Sequence, residues 1–332
     1  MKRILVIPEY WLPHIHYLIQ AFRLHPQPGI ELYWTNEKWW RSEEHGPRED
    51  TESVKFMPIA EAMTALRDGA FDAAVFSEGS LTVFLGIHPD TKKIFLDSAD
   101  HRYLVKQYLD HSSVYLKSQA PGDGKMLIGD SMALESMYGG EKIVMSWPYC
   151  PSSWIAPSWE PPGSPRKPLL HFRGWSWPAK RVATLEGLRK ASVPICGGLH
   201  QRSGIQMNVD FHPDLRADKI PFQQYLDEIA GCTMALNAIG NGEMCFRTCE
   251  IWRTGTCMVT LPIDVQFPGR APKNGEEWVM VEDPAKLPGT IMELLKEPEL
   301  CAKIGEAGRR YWRTFQGPEA WSRRFAAMIA EI

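Results

Sequence analysis

The chain has 332 residues, 44% of them hydrophobic and 23% charged, and its formal net charge is −3. This is the composition of an ordinary globular protein with room for about two domains, and it excludes a long disordered chain. The small negative charge gives no electrostatic support for broad binding to nucleic acid or anionic membranes, and no run approaches the roughly 18 apolar residues of a membrane span.

The first half of the chain alternates short apolar runs with amphipathic stretches. The apolar runs predict strands at residues 3–7, 30–34, 54–57, 72–76, 93–96, 113–116, 126–128 and 143–145, and the amphipathic stretches predict helices at 14–24, 59–67 and 101–109. Such alternation is typical of βαβ units and a mostly parallel sheet. The first apolar run is too short for a signal peptide, so we expect a cytoplasmic protein.

A proline-rich stretch from Trp147 to Pro168 disfavours helices and central strands, and it predicts a linker. Behind it, strands are predicted at 169–172, 193–196, 207–211, 233–237, 257–261 and 278–281, and helices at 179–189, 222–229, 246–253, 287–295, 300–314 and 319–332. The sequence therefore predicts two doubly wound α/β domains with a ligand cleft between the carboxyl ends of their sheets. The expected boundaries are 1–150 for the N-terminal domain, 151–168 for the linker, 169–315 for the C-terminal domain and 316–332 for a helical tail.

The seven cysteines are an odd number without a C-x-x-C pair. This pattern argues against a disulfide framework and against a zinc ribbon. We expect most of the cysteines to be small core residues in a reducing compartment.

The densest chemical signal runs from Gly240 to Glu250. A predicted strand precedes Gly240 and Gly242, and a helix is predicted to begin near Phe246. A glycine-bearing loop before a helix exposes backbone N–H groups at the positive end of the helix dipole, which suits a diphosphate. Arg247 could hold phosphate oxygens with two hydrogen bonds, and Glu250, on the same helix face, could accept from ribose hydroxyls. Alternatively, the glycines are turn residues and the two charged side chains form a surface pair.

A second basic pair follows the predicted strand 169–172. Gly174 provides a turn and Pro178 suits the start of a helix, which would place Arg173 and Lys180 near one wall of the cleft. An ordinary basic helix start is the alternative.

The order of these features resembles the donor-binding half of GT-B glycosyltransferases, and among them the exostosin-like and group-one-like families. The shared features are a strand, G-x-G at 240–242, F-R-x-x-E at 246–250, the later Gly255 and another strand. The resemblance covers about half of the chain, from Leu169 to the end. It implies two Rossmann-like domains facing each other across a cleft, with a C-terminal helix that crosses back to the first domain.

The resemblance also implies roles for individual residues. The glutamate that contacts the donor ribose corresponds to Glu250, with Arg247 and Thr248 near the diphosphate, and the lysine that reaches the donor phosphates corresponds to Lys180. Retaining group-four enzymes carry two glutamates separated by seven residues, whereas Glu243 and Glu250 are separated by six. This departure argues against the retaining class.

Candidate catalytic groups lie in the N-terminal half. Asp97, Asp100 and His101 follow a predicted strand, and similar acidic stretches before an aromatic-Leu-Lys strand occur in exostosin-like proteins. An inverting transferase needs one base to take the proton of the acceptor hydroxyl, and these three residues are candidates. Asp100 could instead cap a helix that starts at His101. Some inverting GT-B enzymes place a histidine after the first strand and orient it with an aspartate, a role open to His14, although a structural role is the alternative.

We therefore expect an inverting glycosyltransferase that moves a sugar from a nucleotide-diphosphate donor, UDP-linked or otherwise, to an acceptor hydroxyl. Domain closure would exclude water from the reaction. No D-x-D triplet follows a strand, and His14 and His16 have no third ligand at a suitable spacing, so we predict no metal and no cofactor. A nucleotide-sugar epimerase and a non-catalytic nucleotide-sugar-binding protein remain alternatives. The acceptor is open among a glycan, a lipid-linked saccharide, a small molecule and a modified nucleobase.

Overall fold

A computed structural model describes residues 1–7, 13–35, 51–77, 86–97, 103–117, 120–123, 126–129, 134–137, 144–146, 156, 158–201, 208–238, 240 and 244–332. The chain divides into two compact units. The first unit comprises Met1–Pro157, Val265–Gly269 and Phe315–Ile332, and the second unit comprises Ser158–Asp264 and Arg270–Thr314.

The elements of the described residues follow in chain order. The strands are β1 (Lys2–Ile7), β2 (Ile30–Trp34), β3 (Val54–Phe56), β4 (Ala73–Ser77), β5 (Lys92–Asp97), β6 (Tyr103–Val105), β7 (Val114–Lys117), β8 (Leu127–Gly129), β9 (Leu134–Met137), β10 (Val144–Ser146), β11 (Lys167–Trp175), β12 (Ile195–His200), β13 (Cys232–Asn237), β14 (Cys257–Thr260) and β15 (Val279–Met280). The helices are α1 (Pro13–Leu24), α2 (Ile59–Arg67), α3 (Lys106–His111), α4 (Ala179–Lys190), α5 (Phe222–Ala230), α6 (Phe246–Thr254), α7 (Leu287–Leu294), α8 (Pro298–Phe315) and α9 (Pro318–Glu331).

The first unit is built on a parallel sheet in the order β10-β7-β5-β4-β1-β2-β3. Its central strands are continuous apolar runs because both faces are covered: every residue of β4 is buried. Leu5, Phe76, Phe95 and Tyr115 belong to one core cluster of this unit. A smaller sheet pairs β8 in parallel with β6 and antiparallel with β9.

The C-terminal helix α9 packs against α1 within the first unit. The Tyr17 hydroxyl of α1 donates to the backbone carbonyl of Gln316, 2.8 Å away, just before α9 begins. The rings of Phe22 and Phe325 meet edge to face, with centroids 5.7 Å apart. The predicted return of the C-terminal helix to the N-terminal part of the chain is confirmed.

The second unit contains a parallel sheet in the order β12-β11-β13-β14-β15. Strand β11 lies inside this sheet, and Leu170, His171 and Phe172 at its middle are buried. Helix α6 ends at Gly255, whose φ of 69° is the left-handed conformation that closes a helix at low cost only for glycine. The α/β class with mostly parallel sheets in two doubly wound units is therefore confirmed.

Three details differ from the expected elements. Residues 103–105 form β6, so the described helix begins at Lys106 and not at 101, because the Val105 N–H donates to the Tyr115 hydroxyl (3.1 Å) instead of a helical carbonyl. Residues 208–211 form no strand, since the Val209 N–H bonds the carbonyl of Ser176 (3.0 Å) outside any ladder. Strand β9 has too short an apolar pattern to be expected. In addition, β11 begins at Lys167, inside the stretch predicted as linker.

Candidate functional site

The candidate site lies in the second unit, where the parallel strands of its sheet end. Strand β11 ends at Trp175 and β13 at Asn237, and helices α4 and α6 follow these two strands in the chain. Ligands of doubly wound folds bind at the carboxyl ends of the strands, beside the amino ends of the helices that follow. All the predicted donor-binding residues belong to this part of the chain.

Among the described residues, no side chain neutralises the positive end of helix α6. The residue before the helix, Cys245, makes no capping hydrogen bond through its side chain, and the first turn contains no acidic residue. Thr248 turns inward, since its hydroxyl donates to Asn237 Oδ1 at 3.2 Å and ties α6 to the end of β13. Gly240 is buried, and Gly242 and Glu243 lie outside the described residues. The described start of α6 is thus suited to an anion.

Two guanidinium groups, those of Arg181 and Arg247, lie near this helix start. Arg247 Nη2 donates to the Arg173 carbonyl at 2.6 Å, and the Arg247 guanidinium lies 4.4 Å from the centroid of the Phe172 ring. Arg181 Nη1 donates to the carbonyls of Trp175 (3.2 Å) and Trp177 (2.6 Å). Both groups are therefore oriented by backbone carbonyls at the end of β11.

Neither guanidinium forms an ion pair with a carboxylate among the described residues, and the Nε atoms of Arg181 and Arg247 are buried without a hydrogen-bond partner. Burial and then the neighbouring Arg247 lower the pKa of Arg181 to about 10. Burial would also lower the pKa of Arg247, but its neighbours Tyr225, Cys245 and Glu250 raise it. Two cations are therefore held together with hydrogen-bonding capacity that an anion could use.

The sequence candidates Arg173 and Lys180 have different surroundings. Arg173 forms a two-point ion pair with Glu228 of α5, with Nε–Oε2 and Nη2–Oε1 distances of 3.0 and 3.1 Å, and Nη1 also donates to the Asp218 carbonyl. Its charge is thus compensated within the protein. Lys180 lies exposed in the first turn of α4. Arg181 and Arg247, in contrast, are partly shielded from solvent and have no carboxylate within ion-pair distance among the described residues.

Glu250 is buried in α6, with 5% of its surface exposed. Its Oε2 accepts a hydrogen bond from the Tyr225 hydroxyl of α5 at 3.0 Å, and its Oε1 has no hydrogen-bond partner among the described residues. Burial raises the pKa of Glu250 to about 7, although Arg247, the Tyr225 hydrogen bond and Arg253 act in the opposite direction. The carboxyl can therefore change its protonation state near neutral pH, with one oxygen available to a ligand.

His171 lies beside this network without carrying charge. Its ring contacts the Tyr225 ring at a centroid distance of 5.6 Å. Burial, followed by the charges of Arg247 and Arg173, lowers the pKa of His171 to about 3. The imidazole is thus neutral at physiological pH and serves as a wall for Tyr225.

The predicted catalytic residues lie in the first unit, and the structure describes only part of this group. Asp97 is buried, and its two oxygens are held by Lys117 Nζ (2.8 Å) and the Tyr115 hydroxyl. These contacts favour a structural role for this carboxylate. Asp100 and His101 lie outside the described residues, and His14 belongs to α1 without a description of its side chain. The idea that Asp100 caps a helix starting at His101 is wrong, because the helix begins at Lys106.

Sequence reasoning missed three residues of the site: Arg181, Tyr225 and Glu228. Arg181 directly follows the predicted Lys180. The orientation of α4 leaves the Lys180 side chain exposed and turns the Arg181 side chain toward Arg247. Tyr225 and Glu228 occupy neighbouring turns of α5, and the three-residue spacing that places them on one helix face was the available signal.

Among the residues that the structure describes, no group of three or more histidine, cysteine, aspartate or glutamate side chains could hold a metal ion. The described cysteines, at positions 196, 232, 245, 249, 257 and 301, are free thiols. No helix of the described part is long and apolar enough to cross a bilayer.

Comparison of the sequence with protein families and with curated proteins finds no match. Solved structures do match. A mutant of the O-GlcNAc transferase of Thermobaculum terrenum is 14% identical with a TM-score of 0.58, and the match covers 98% of this chain and 66% of that one. HepE of Anabaena in complex with UDP and glucose is 10% identical with a TM-score of 0.54 over 100% of both chains. An α-glucosyltransferase in complex with UDP is 11% identical with a TM-score of 0.60, over 99% of this chain and 100% of that one. These neighbours show that the two Rossmann-like units form the GT-B fold that the sequence resemblance implies.

Proposed function

We propose that this chain is a glycosyltransferase that binds a nucleotide-diphosphate sugar in its second unit and transfers the sugar to an acceptor hydroxyl. The observation that carries the proposal is the pair of guanidinium groups of Arg181 and Arg247, which have no carboxylate within ion-pair distance among the described residues. Like charges repel at short range, so such a pair is costly unless an anion joins it. A diphosphate beside the start of α6 supplies that anion.

The remaining polar groups fit the other parts of such a donor. Glu250 lies three residues beyond Arg247, one turn along α6, so a ligand whose diphosphate contacts Arg247 can place its ribose beside the free Oε1. Arg173 then acts indirectly, because its carbonyl orients Arg247 while Glu228 compensates its charge. The neighbouring structures solved with UDP support UDP-glucose as the first donor to test.

In the reaction, a base takes the proton of the acceptor hydroxyl as its oxygen attacks the anomeric carbon, and the bond from that carbon to the diphosphate oxygen breaks. The charge that develops on the leaving diphosphate falls on Arg181, Arg247 and the start of α6. We assign the base to the first unit and choose Asp100 before His101 and His14, because Asp97 is already held by Lys117. Attack of this kind inverts the anomeric centre, and the guanidinium groups take the place of a metal and of any cofactor.

We place the acceptor on the first unit and the enzyme in the cytoplasm. The acceptor is a glycan, a lipid-linked saccharide, a small molecule or a modified nucleobase carrying a free hydroxyl.

The decisive experiment measures nucleotide release from UDP, GDP and CMP sugars with and without candidate acceptors. Release that depends on an acceptor supports transfer. Isomerised donor without release supports an epimerase, and tight binding without turnover supports a binding protein. The variants Arg181→Ala and Arg247→Ala should each weaken donor binding about tenfold or more, as loss of a charged hydrogen bond does. Arg310→Ala, at an exposed ion pair of α8, is the matched control that should bind normally.

The base assignment has its own test. Asp100→Asn should leave donor affinity near that of the wild type while lowering turnover about 100-fold, because the acceptor proton then has no base. Full activity of this variant would transfer the role to His101 or His14.

A further inference from the structure

The hydroxyl group of Tyr225 is hydrogen-bonded to the carboxylate that we propose for the donor ribose. Tyr225 donates its hydroxyl hydrogen to Glu250 Oε2 at 3.0 Å. Tyr225 also interacts electrostatically with Arg247, in the first turn of the helix that carries Glu250, and raises the pKa of that guanidinium against the effect of burial. Tyr225 thus contacts the carboxylate proposed for the ribose and lies near a guanidinium proposed for the diphosphate.

The position of this hydroxyl is fixed by the packing of its ring. The Tyr225 ring lies on α5 with its centroid 5.6 Å from that of His171 on β11 and 5.9 Å from that of Phe222 on α5. A tyrosine has only two side-chain torsions to fix, and the aromatic neighbours restrict both. The hydroxyl is therefore a rigid donor that reaches Glu250 from a neighbouring helix.

Glu250 needs such a partner. A glutamate side chain has three rotatable bonds. Without a hydrogen bond to one of its oxygens, the Glu250 carboxylate would sample several rotamers. The bond to Tyr225 engages Oε2, and Oε1 keeps no partner among the described residues. The contact therefore leaves one defined oxygen for a ligand hydroxyl.

We propose that Tyr225 is a positioning residue of the donor site, which holds Glu250 for a ribose hydroxyl. The proposal rests on the proposed function, because it assumes that a nucleotide donor binds here. Tyr225 itself contacts no reacting atom.

Electrostatics give this role a measurable signature. The groups that face Glu250 are Tyr225 from α5 and Arg247 and Arg253 from α6, and His171 on β11 behind Tyr225 is neutral. Burial raises the pKa of Glu250 to about 7, and the Tyr225 hydrogen bond keeps it from rising further. Loss of the hydroxyl should therefore move the pH dependence of donor binding upward, which loss of packing alone would not do.

The test compares UDP-glucose binding by calorimetry from pH 6 to 8.5 for the wild type, Tyr225→Phe, Glu250→Gln and the double variant. Tyr225→Phe should bind about tenfold more weakly at pH 7, with its pH midpoint shifted upward. In the Glu250→Gln background, the same change should have little further effect, because the two residues act as one unit. Tyr33→Phe is the matched control, since the Tyr33 hydroxyl also donates to a glutamate, Glu31, at 3.1 Å but in the first unit.

The possible results separate the two proposals. Wild-type affinity and an unchanged pH midpoint in Tyr225→Phe would overturn the positioning role while leaving the donor site intact. An equal loss with and without Glu250 would overturn it as well, because Tyr225 would then act without the carboxylate. If the wild type binds none of the UDP, GDP and CMP sugars, the proposed function fails and the positioning role fails with it. Thermal unfolding of each variant at pH 7 shows whether it is folded, and a folded Tyr225→Phe protein makes each of these outcomes interpretable.

Discussion

Donor binding should depend on pH through Glu250. In the free protein, burial raises the pKa of this carboxyl to about 7, so a large part of it is protonated at neutral pH. A ribose hydroxyl that donates to Oε1 favours the ionised form, because the charged carboxylate is the better acceptor. Binding should therefore release a proton, and Glu250→Gln should remove this dependence.

The size of the effect follows from the two protonation states. If the pKa falls from about 7 to below about 5 in the complex, the Kd should rise about tenfold between pH 8 and pH 6. At pH 7, about half a proton should be released for each donor molecule bound. The affinity of Glu250→Gln should be lower than that of the wild type at pH 8 and nearly constant over this range.

Glu250 should also make the stability of the ligand-free protein depend on pH. Because the folded pKa of Glu250 lies above its ordinary value, the folded protein binds more protons than the unfolded chain between pH 4.5 and about 7. The contribution of this group to stability is therefore greatest at low pH and falls by about 3 kcal/mol as the pH rises through this window. Urea unfolding of Glu250→Gln should lack this loss.

Isothermal titration calorimetry with UDP-glucose is the suitable assay. The diphosphate of a sugar nucleotide is esterified at both ends and keeps a constant charge, whereas the terminal phosphate of UDP titrates near pH 6 and would hide the effect. Two buffers with different ionisation enthalpies report the number of protons released. A Kd that does not change from pH 6 to 8, or a slope that persists in Glu250→Gln, would refute the assignment of this carboxyl to the donor.

Two further substitutions test the packing around the predicted residues. Asp97→Asn should destabilise the protein by about 3–5 kcal/mol in urea unfolding, because it removes the negative charge of a fully buried ion pair with Lys117. The double change with Lys117→Met should recover much of the loss. A stable Asp97→Asn protein would contradict a structural role. Gly174→Ala should weaken donor binding, since its new Cβ would lie 2.7 Å from Arg247 Nη2 and 3.2 Å from the buried Phe172 ring and would displace the guanidinium. Gly187→Ala, whose Cβ meets nothing within 4 Å, should bind as the wild type does.

The sequence determined the architecture because buried residues recur in it with the spacing of strands and helices. Strands such as β4 and β13 are buried along their whole length, so they appear as mainly apolar runs, and the helices between the strands appear as amphipathic stretches. Short-range rules also located the start of α6 at Phe246 and its end before Gly255. These features depend on neighbours in the chain, and the chain alone therefore predicts them.

Only the tertiary structure decided which charged side chains are free for a ligand. Arg173 and Glu228 are 55 residues apart and form an ion pair, and Asp97 meets Lys117 from a neighbouring strand. Arg181, next to the chosen Lys180, is instead left beside Arg247. A long polar side chain can reach several partners, and its choice depends on how distant elements pack. The periodicity of the sequence indicates whether a residue is buried. It does not indicate which distant side chain that residue contacts in the folded protein.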